Sequence, residues 1–242
     1  MTAGPRSLVL AALAAAFLTL GAHGVVAGTW GRAAVGVVET YVGVSLAALA
    51  LAHALQAAGA DVGSMSRRPI VRGLLLPYRT VGRVALFLIE TVGREPARSV
   101  PADGIVLGRL PWERERDALR RDGVDAVLCL CWEFPGLAEG EGLATARVPM
   151  LDGVPPTRRQ LDDAVGRVVR WREEGRRVLI HCAQGHGRTA TVAAACLVRL
   201  GLAADVPAAL AAVRAARPGA RPSRAQAAAL VEYVATISGR EA

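Results

Sequence analysis

The sequence predicts an α/β fold: a mostly parallel central sheet flanked by helices, preceded by two transmembrane helices. Three observations predict it. Short apolar, β-branched runs alternate with stretches of helical periodicity across residues 102–242, the pattern of a layered sheet with crossover helices. Two long and almost uncharged apolar runs open the chain, each long enough to span a bilayer. A strand-like run, Val178–His181, turns into an Ala-rich helix through a loop that carries a cysteine, two glycines and an arginine.

The 242 residues suffice for one domain of about 150 residues with additional segments. All 29 basic residues are arginine, and the formal net charge is +8. That balance suits a phosphate-bearing substrate or an anionic membrane surface. It does not indicate nucleic acid, because the arginines are dispersed and few aromatic residues are available to stack on bases. The four cysteines, at 129, 131, 182 and 196, have the spacing of neither a disulfide framework nor a zinc site. Free thiols fit a reducing compartment. Cys129 and Cys131 alternate in phase, so they face one side of a strand; Cys196 belongs to a helix core.

Three segments are expected: a membrane hairpin over residues 1–66, an amphipathic or interfacial segment and linker over 67–101, and a catalytic domain over 102–242. In the hairpin, residues 7–27 and 33–60 are the two apolar runs, with only Glu39 charged in the second. A signal peptide fits less well, because a second run follows at once; a pair of buried soluble helices is the other alternative. Arg67, Arg68 and Arg72 follow the hairpin, whereas Arg32 alone lies between its helices. The positive-inside rule then places the downstream part in the cytoplasm. Residues 70–92 are apolar but carry Arg72, Arg79 and Arg83, as an interfacial amphipathic segment would. Residues 94–101, with Pro96 and Pro101, read as linker.

Within the last segment, residues 104–108 form a short strand and 113–122 a charged helix that ends at Gly123. Residues 124–131 and 145–149 are further strands. From 158 to 174 the apolar residues Leu161, Val165, Val168 and Val169 recur at helical spacing. Residues 177–181 enter the loop as a strand, and 189–200 leave it as a helix ended by Gly201. Two more helices, 208–216 and 224–237, are separated by Arg217-Pro218 and Pro222-Ser223.

The loop Cys182–Thr189 has the makings of an anion site. Consecutive backbone N–H groups curving inward form a nest, and the following helix adds its positive end. Gly185 and Gly187 allow close approach of a ligand. Arg188 can give two parallel hydrogen bonds to a phosphate. The same field favours the thiolate of Cys182, and a thiolate in a phosphate-sized cradle is a nucleophile on phosphorus.

His181-Cys182, five residues, then Arg188-Thr189 resembles the signature of the cysteine-dependent protein tyrosine phosphatases, in particular their dual-specificity branch. The resemblance covers roughly residues 104–233, and 181–189 is its specific part. It implies a dual-specificity phosphatase-like fold and a phosphocysteine intermediate. It assigns Cys182 as nucleophile, Arg188 as phosphate clamp, and Ala183, Gln184, Gly185, His186 and Gly187 as the substrate cradle. Asp152 is the candidate general acid: it lies in a strand-to-helix loop 30 residues before Cys182, similar to the acid's spacing in that family. Asp162 and Asp163 lie inside a helix and face solvent. Thr189 stands where the family carries Ser or Thr that helps the thiolate leave, and His181 is similar to the histidine that supports the loop. For His186 the sequence leaves two orientations open, toward substrate or toward solvent. Glu133, Phe134, Arg217-Pro218 and Gln226 are similar to further family positions, although Ser223 stands near where the family commonly has Asn. Rhodanese-like and low-molecular-weight phosphatase loops fit less well, the latter because they lie near the start of their domain.

No cofactor and no metal are called for. The implied partner is a phosphorylated protein, a phospholipid or the membrane itself, and no nucleic acid. Three functions are therefore carried forward: a phosphatase of phosphotyrosine, phosphoserine or phosphothreonine proteins; a membrane-surface lipid phosphatase acting on phosphatidylglycerophosphate or a phosphoinositide; and a non-catalytic phosphate-binding scaffold.

Overall fold

The computed structural model describes residues 5–26, 30–60, 62–93, 95–140 and 142–238. Arg94, the first residue of the expected linker, lies outside them. The chain divides into two compact units, Met1–Leu88 and Ile89–Ala242.

In the first unit, α1 (Pro5–Val26) and α2 (Trp30–Ala57) pack along one another. Small residues let their backbones meet: a Cβ on Gly36 would stand 2.6 Å from the Gly21 carbonyl oxygen, and one on Gly21 would stand 2.6 Å from the Thr40 amide nitrogen. Close backbone approach of this kind drives helix association where no water is present to drive it. Leu8, Leu13, Leu20, Val35, Val37 and Val38 point outward. The stretches Ser7–Val26 and Arg32–Ala57 are long and apolar enough to cross a membrane. The segment after them is helical: α3 (Pro69–Leu74) opens on a proline, and α4 spans Leu76–Val92. The Tyr41 hydroxyl donates to the Gly73 carbonyl. On α4, Leu76, Val81, Val84, Phe87 and Leu88 are exposed.

The second unit is built on five strands, β1 (Arg98–Ala102), β2 (Ile105–Gly108), β3 (Ala126–Cys131), β4 (Ala144–Met150) and β5 (Val178–His181), in the order β1-β2-β5-β3-β4. All neighbours are parallel except β1, which pairs antiparallel with β2. The sheet is thus mixed at one edge. Residues 98–101 are strand rather than linker, because β1 and β2 form a hairpin turning at Asp103-Gly104, where Gly104 has φ +73°. The prolines sit where an edge strand tolerates them. The charged stretch at 113–122 is also shorter as helix than expected: a 3-10 turn at Glu113–Glu115 precedes α5 (Arg116–Arg121).

β2, β3 and β5 are buried along their whole length, as parallel strands covered on both faces must be. On one face Leu119 of α5 packs with Val106, Val127 and Leu179. α6 (Arg158–Glu173), α7 (Gly187–Arg199), α8 (Val206–Ala216) and α9 (Arg224–Ser238) complete the unit, with α7 contacting α6, α8, α9, β2 and β5. Every residue of α7 from Arg188 to Leu197 is buried, which explains why Ala and small β-branched residues fill it. β5 is the middle strand, so the loop after it lies at the centre of the sheet's carboxyl edge, where α/β folds place ligands.

Candidate active site

The loop leaves β5 at Cys182 and enters α7 at Gly187, two residues before the expected helix start. Its carbonyls turn outward. The Leu110 amide donates to the Ala183 oxygen at 3.0 Å, and Arg217 Nη2 donates to the Gln184 oxygen at 2.9 Å. No described group accepts from the backbone N–H groups of Ala183 to Gly187. Outward carbonyls with unpaired amides are the arrangement of an anion nest. Gly185 has φ +78°, and a Cβ there would lie 2.4 Å from the Gly108 carbonyl oxygen. The loop therefore rests directly on the end of β2. Gly187 is closed off in the same way, by Gln226 Oε1 at 2.8 Å from its Cβ position. Gln226 also accepts from the Ser223 amide and donates to the Val154 carbonyl at 3.4 Å, joining the loop to the segment after Asp152.

Arg188 is 2% exposed. Its Nη1 and Nη2 donate in parallel to the two carboxylate oxygens of Glu133, at 2.8 and 2.7 Å. Nη1 also donates to the Met150 carbonyl at 3.0 Å. Burial alone would weaken its hold on the proton, but the Glu133 carboxylate and the Cys131 and Cys182 sulfurs raise its pKa well above the ordinary value. Its Nε is buried with no hydrogen-bond partner among the described residues. Asp152 stands across from it, Oδ1 lying 3.3 Å from Nη2, with a side chain 57% exposed. Asp152 occupies the loop between β4 and α6, whose start Thr157 and Gln160 fix by a reciprocal capping box. Asp162 and Asp163 are exposed, as expected.

His181 is fully buried, and its Nδ1 lies 3.2 Å from the Cys182 carbonyl oxygen. The Thr189 hydroxyl is also buried, with no hydrogen-bond partner among the described residues. His186 takes neither of the two orientations left open: its Nε2 pairs with Glu95 at 2.6 Å. The reason is tertiary, since Glu95 arrives on the segment before β1. Glu95 also takes Arg217 Nη2 at 2.9 Å and the Gly219 amide at 3.1 Å. Burial alone would raise the Glu95 pKa, but the His186 hydrogen bond and the Arg217 charge outweigh it, and the value falls below 4.5. Sequence reasoning missed Glu95 entirely, because nothing local marks it. Glu133 and Arg217 were visible only as similarities to the family.

Behind the loop, Cys129 and Cys131 share one face of β3, as their spacing required, and His181 joins them there from β5. Hydrogen bonding from the Cys131 thiol holds Cys129 well below the usual thiol range, while burial pushes Cys131 up. Cys196 is raised by burial alone.

Comparison with known proteins gives this architecture its class. The family model described as "Tc-R-P: Polymorphic toxin system, DSP-PTPase phosphatase" matches residues 110–202. The chain belongs to the cysteine-dependent protein tyrosine phosphatase superfamily, on its dual-specificity side. Among individual proteins, it is 38% identical over 100 residues to dual specificity protein phosphatase 12 of Rattus norvegicus, covering 40% of this chain. The chain spans 29% of the length of that relative. Of solved structures, Tk-PTP in its active form is 30% identical with a TM-score of 0.52, the match covering 58% of this chain and 97% of that one. Human DUSP28 is 26% identical with a TM-score of 0.54, covering 59% and 96%. PTPMT1 in complex with PI(5)P shares the fold at 22% identity and a TM-score of 0.55, covering 61% and 100%.

Proposed function

We propose that the second unit is a phosphomonoesterase that works through a phosphocysteine at Cys182, on phosphotyrosine, phosphoserine or phosphothreonine of proteins. One observation carries the reading. Glu133 and the Met150 carbonyl hold the tips of Arg188, and its buried Nε is left with no hydrogen-bond partner among the described residues. A buried donor without a partner is costly, and a phosphoryl oxygen repays that cost.

In the first step the Cys182 thiolate attacks phosphorus and the bond from phosphorus to the ester oxygen breaks. Asp152, as the general acid, gives a proton to the departing oxygen. The Ala183, Gln184, Gly185, His186 and Gly187 backbone and Arg188 take the charge that develops on the equatorial oxygens. In the second step the Asp152 carboxylate removes a proton from water as its oxygen attacks phosphorus. The sulfur–phosphorus bond breaks, the Thr189 hydroxyl steadies the departing thiolate, and inorganic phosphate leaves. His181 supports the loop through the Cys182 carbonyl. Cys182→Ser should abolish hydrolysis of an aryl phosphate while the protein stays folded; unchanged turnover would exclude this mechanism and leave a non-catalytic phosphate-binding scaffold.

The lipid alternative rests on a separate observation, the two helices long and apolar enough to cross a membrane. In that reading the hairpin anchors the unit at the cytoplasmic face, with Arg67, Arg68 and Arg72 on the inner side. The site itself favours compact monoesters: Arg109 is tied to Glu90 and Glu115, and Arg217 to Glu95, so neither cation is unpaired for a polyanionic headgroup. Turnover of phosphopeptides against phosphatidylglycerophosphate and phosphoinositides, with Asp152→Ala as a trap, separates the two.

A further inference from the structure

Cys129, Cys131 and His181 offer two sulfurs and one ring nitrogen that all lie within 4.8 Å of one another, and all three residues are buried. Cys129 and His181 are directly paired across the parallel β3–β5 ladder, and Cys131 follows on the same face of β3. The His181 ring is already oriented for ligation. Its Nδ1 faces the Cys182 carbonyl, which can only accept, so Nδ1 carries the hydrogen and Nε2 keeps its lone pair. That Nε2 is fully buried and has no hydrogen-bond partner among the described residues. A histidine whose one ring nitrogen is held by a backbone carbonyl while the other keeps a lone pair is the usual outer support of a metal ligand.

We infer that Cys129 Sγ, Cys131 Sγ and His181 Nε2 form a binding site for a thiophilic divalent cation of the zinc class, beneath the Cys182 loop. Three atoms within 4.8 Å of one another surround a point no more than about 2.8 Å from each, so a contraction of about half an ångström reaches the zinc–sulfur distance of about 2.3 Å. Charge favours a divalent ion. Each thiol gives up its proton to solvent on binding, and two thiolates, a neutral imidazole and a dication sum to zero, which a buried site requires. The site is separate from the phosphate cradle: His181 reaches it through Nε2, and Cys182 takes no part. An ion there ties β3 to β5 just below the loop.

The test uses the full chain in detergent micelles with Zn(II) alone, and with Co(II) as the spectroscopic probe. Equilibrium dialysis should find one ion per chain, and Co(II) should show thiolate charge-transfer absorption. Both should persist in Cys182→Ser and in Cys196→Ser. Affinity should fall at least about tenfold in Cys129→Ser and in Cys131→Ser. Loss of binding in Cys182→Ser, or no change in the Cys129 and Cys131 variants, overturns the inference. Should those variants fail to melt cooperatively, alkylation of the unmutated chain decides. Zn(II) must then slow labelling of Cys129 and Cys131 at least about tenfold relative to the equally buried Cys196; equal slowing of all three overturns it.

Discussion

Arg188 and Glu133 face each other as a buried, parallel, two-bond pair, with Nη1–Oε2 at 2.8 Å and Nη2–Oε1 at 2.7 Å. The pair fixes the plane of the guanidinium, and with it the direction in which the remaining Nε–H points. A planar donor held this way suits the tetrahedral oxyanion of the proposed reaction.

Glu133→Gln should therefore be damaging twice over. It leaves the Arg188 charge buried and unpaired, at a cost of about 3–5 kcal/mol in stability. It also frees the guanidinium to rotate, which should lower aryl-phosphate turnover about 10²-fold. Thermal unfolding and a steady-state assay at matched temperature check both; a variant as stable and as active as the parent would refute the role assigned to the pair.

Asp152→Asn should separate substrates by leaving group. An alkyl phosphate such as a phosphoserine peptide needs protonation of its departing oxygen, so its turnover should fall about 10²–10⁴-fold. An aryl phosphate with an acidic phenol needs it far less and should retain most of its rate in the first step. Because Asp152 is half in solvent, stability should change by less than about 0.5 kcal/mol. Equal losses on both substrates would argue against Asp152 as the acid.

Gly185→Ala tests the loop's support. The residue has φ +78°, and the added methyl would sit 2.4 Å from the Gly108 oxygen. The backbone conformation alone costs about 1–3 kcal/mol, and the clash must push the loop off β2. Both the melting temperature and turnover should drop, and inorganic phosphate should inhibit the variant more weakly than the parent.

Glu95 supplies a pH dependence. Its folded-state pKa lies below the ordinary 4.5, because the His186 hydrogen bond and Arg217 outweigh desolvation. A carboxylate whose folded value is depressed contributes stability above its unfolded value, and that contribution is lost as pH falls through the folded one. Unfolding curves recorded from about pH 7 down to about pH 3 should show the parent losing part of its advantage over Glu95→Gln below 4.5. A constant difference across that range would exclude the linkage.

Much of the fold was legible because it is written locally. Strand and helix in the second unit follow from apolar periodicity, and the turn into α7 follows from glycines beside an Ala-rich run. The sequence missed β1, because prolines at 96 and 101 read as linker when the hairpin partner β2 is not considered. It placed the start of α7 two residues late, since Gly187 and Arg188 are poor local evidence for a helix that tertiary packing nonetheless begins there.

By itself, then, the sequence determined the spacing from Cys182 to Arg188, the Asp152 loop 30 residues earlier, the α/β alternation and the two apolar runs. These are properties of neighbours along the chain, set by covalent distance and periodicity. Their surroundings are set by long-range packing. Glu133 is 55 residues from Arg188, and Glu95 is 91 residues from His186. Cys129 and Cys131 meet His181 because β5 inserts between β2 and β3. Strand order is chosen by how the whole sheet buries its faces, so no local pattern specifies which distant carboxylate, arginine or thiol will stand beside the loop.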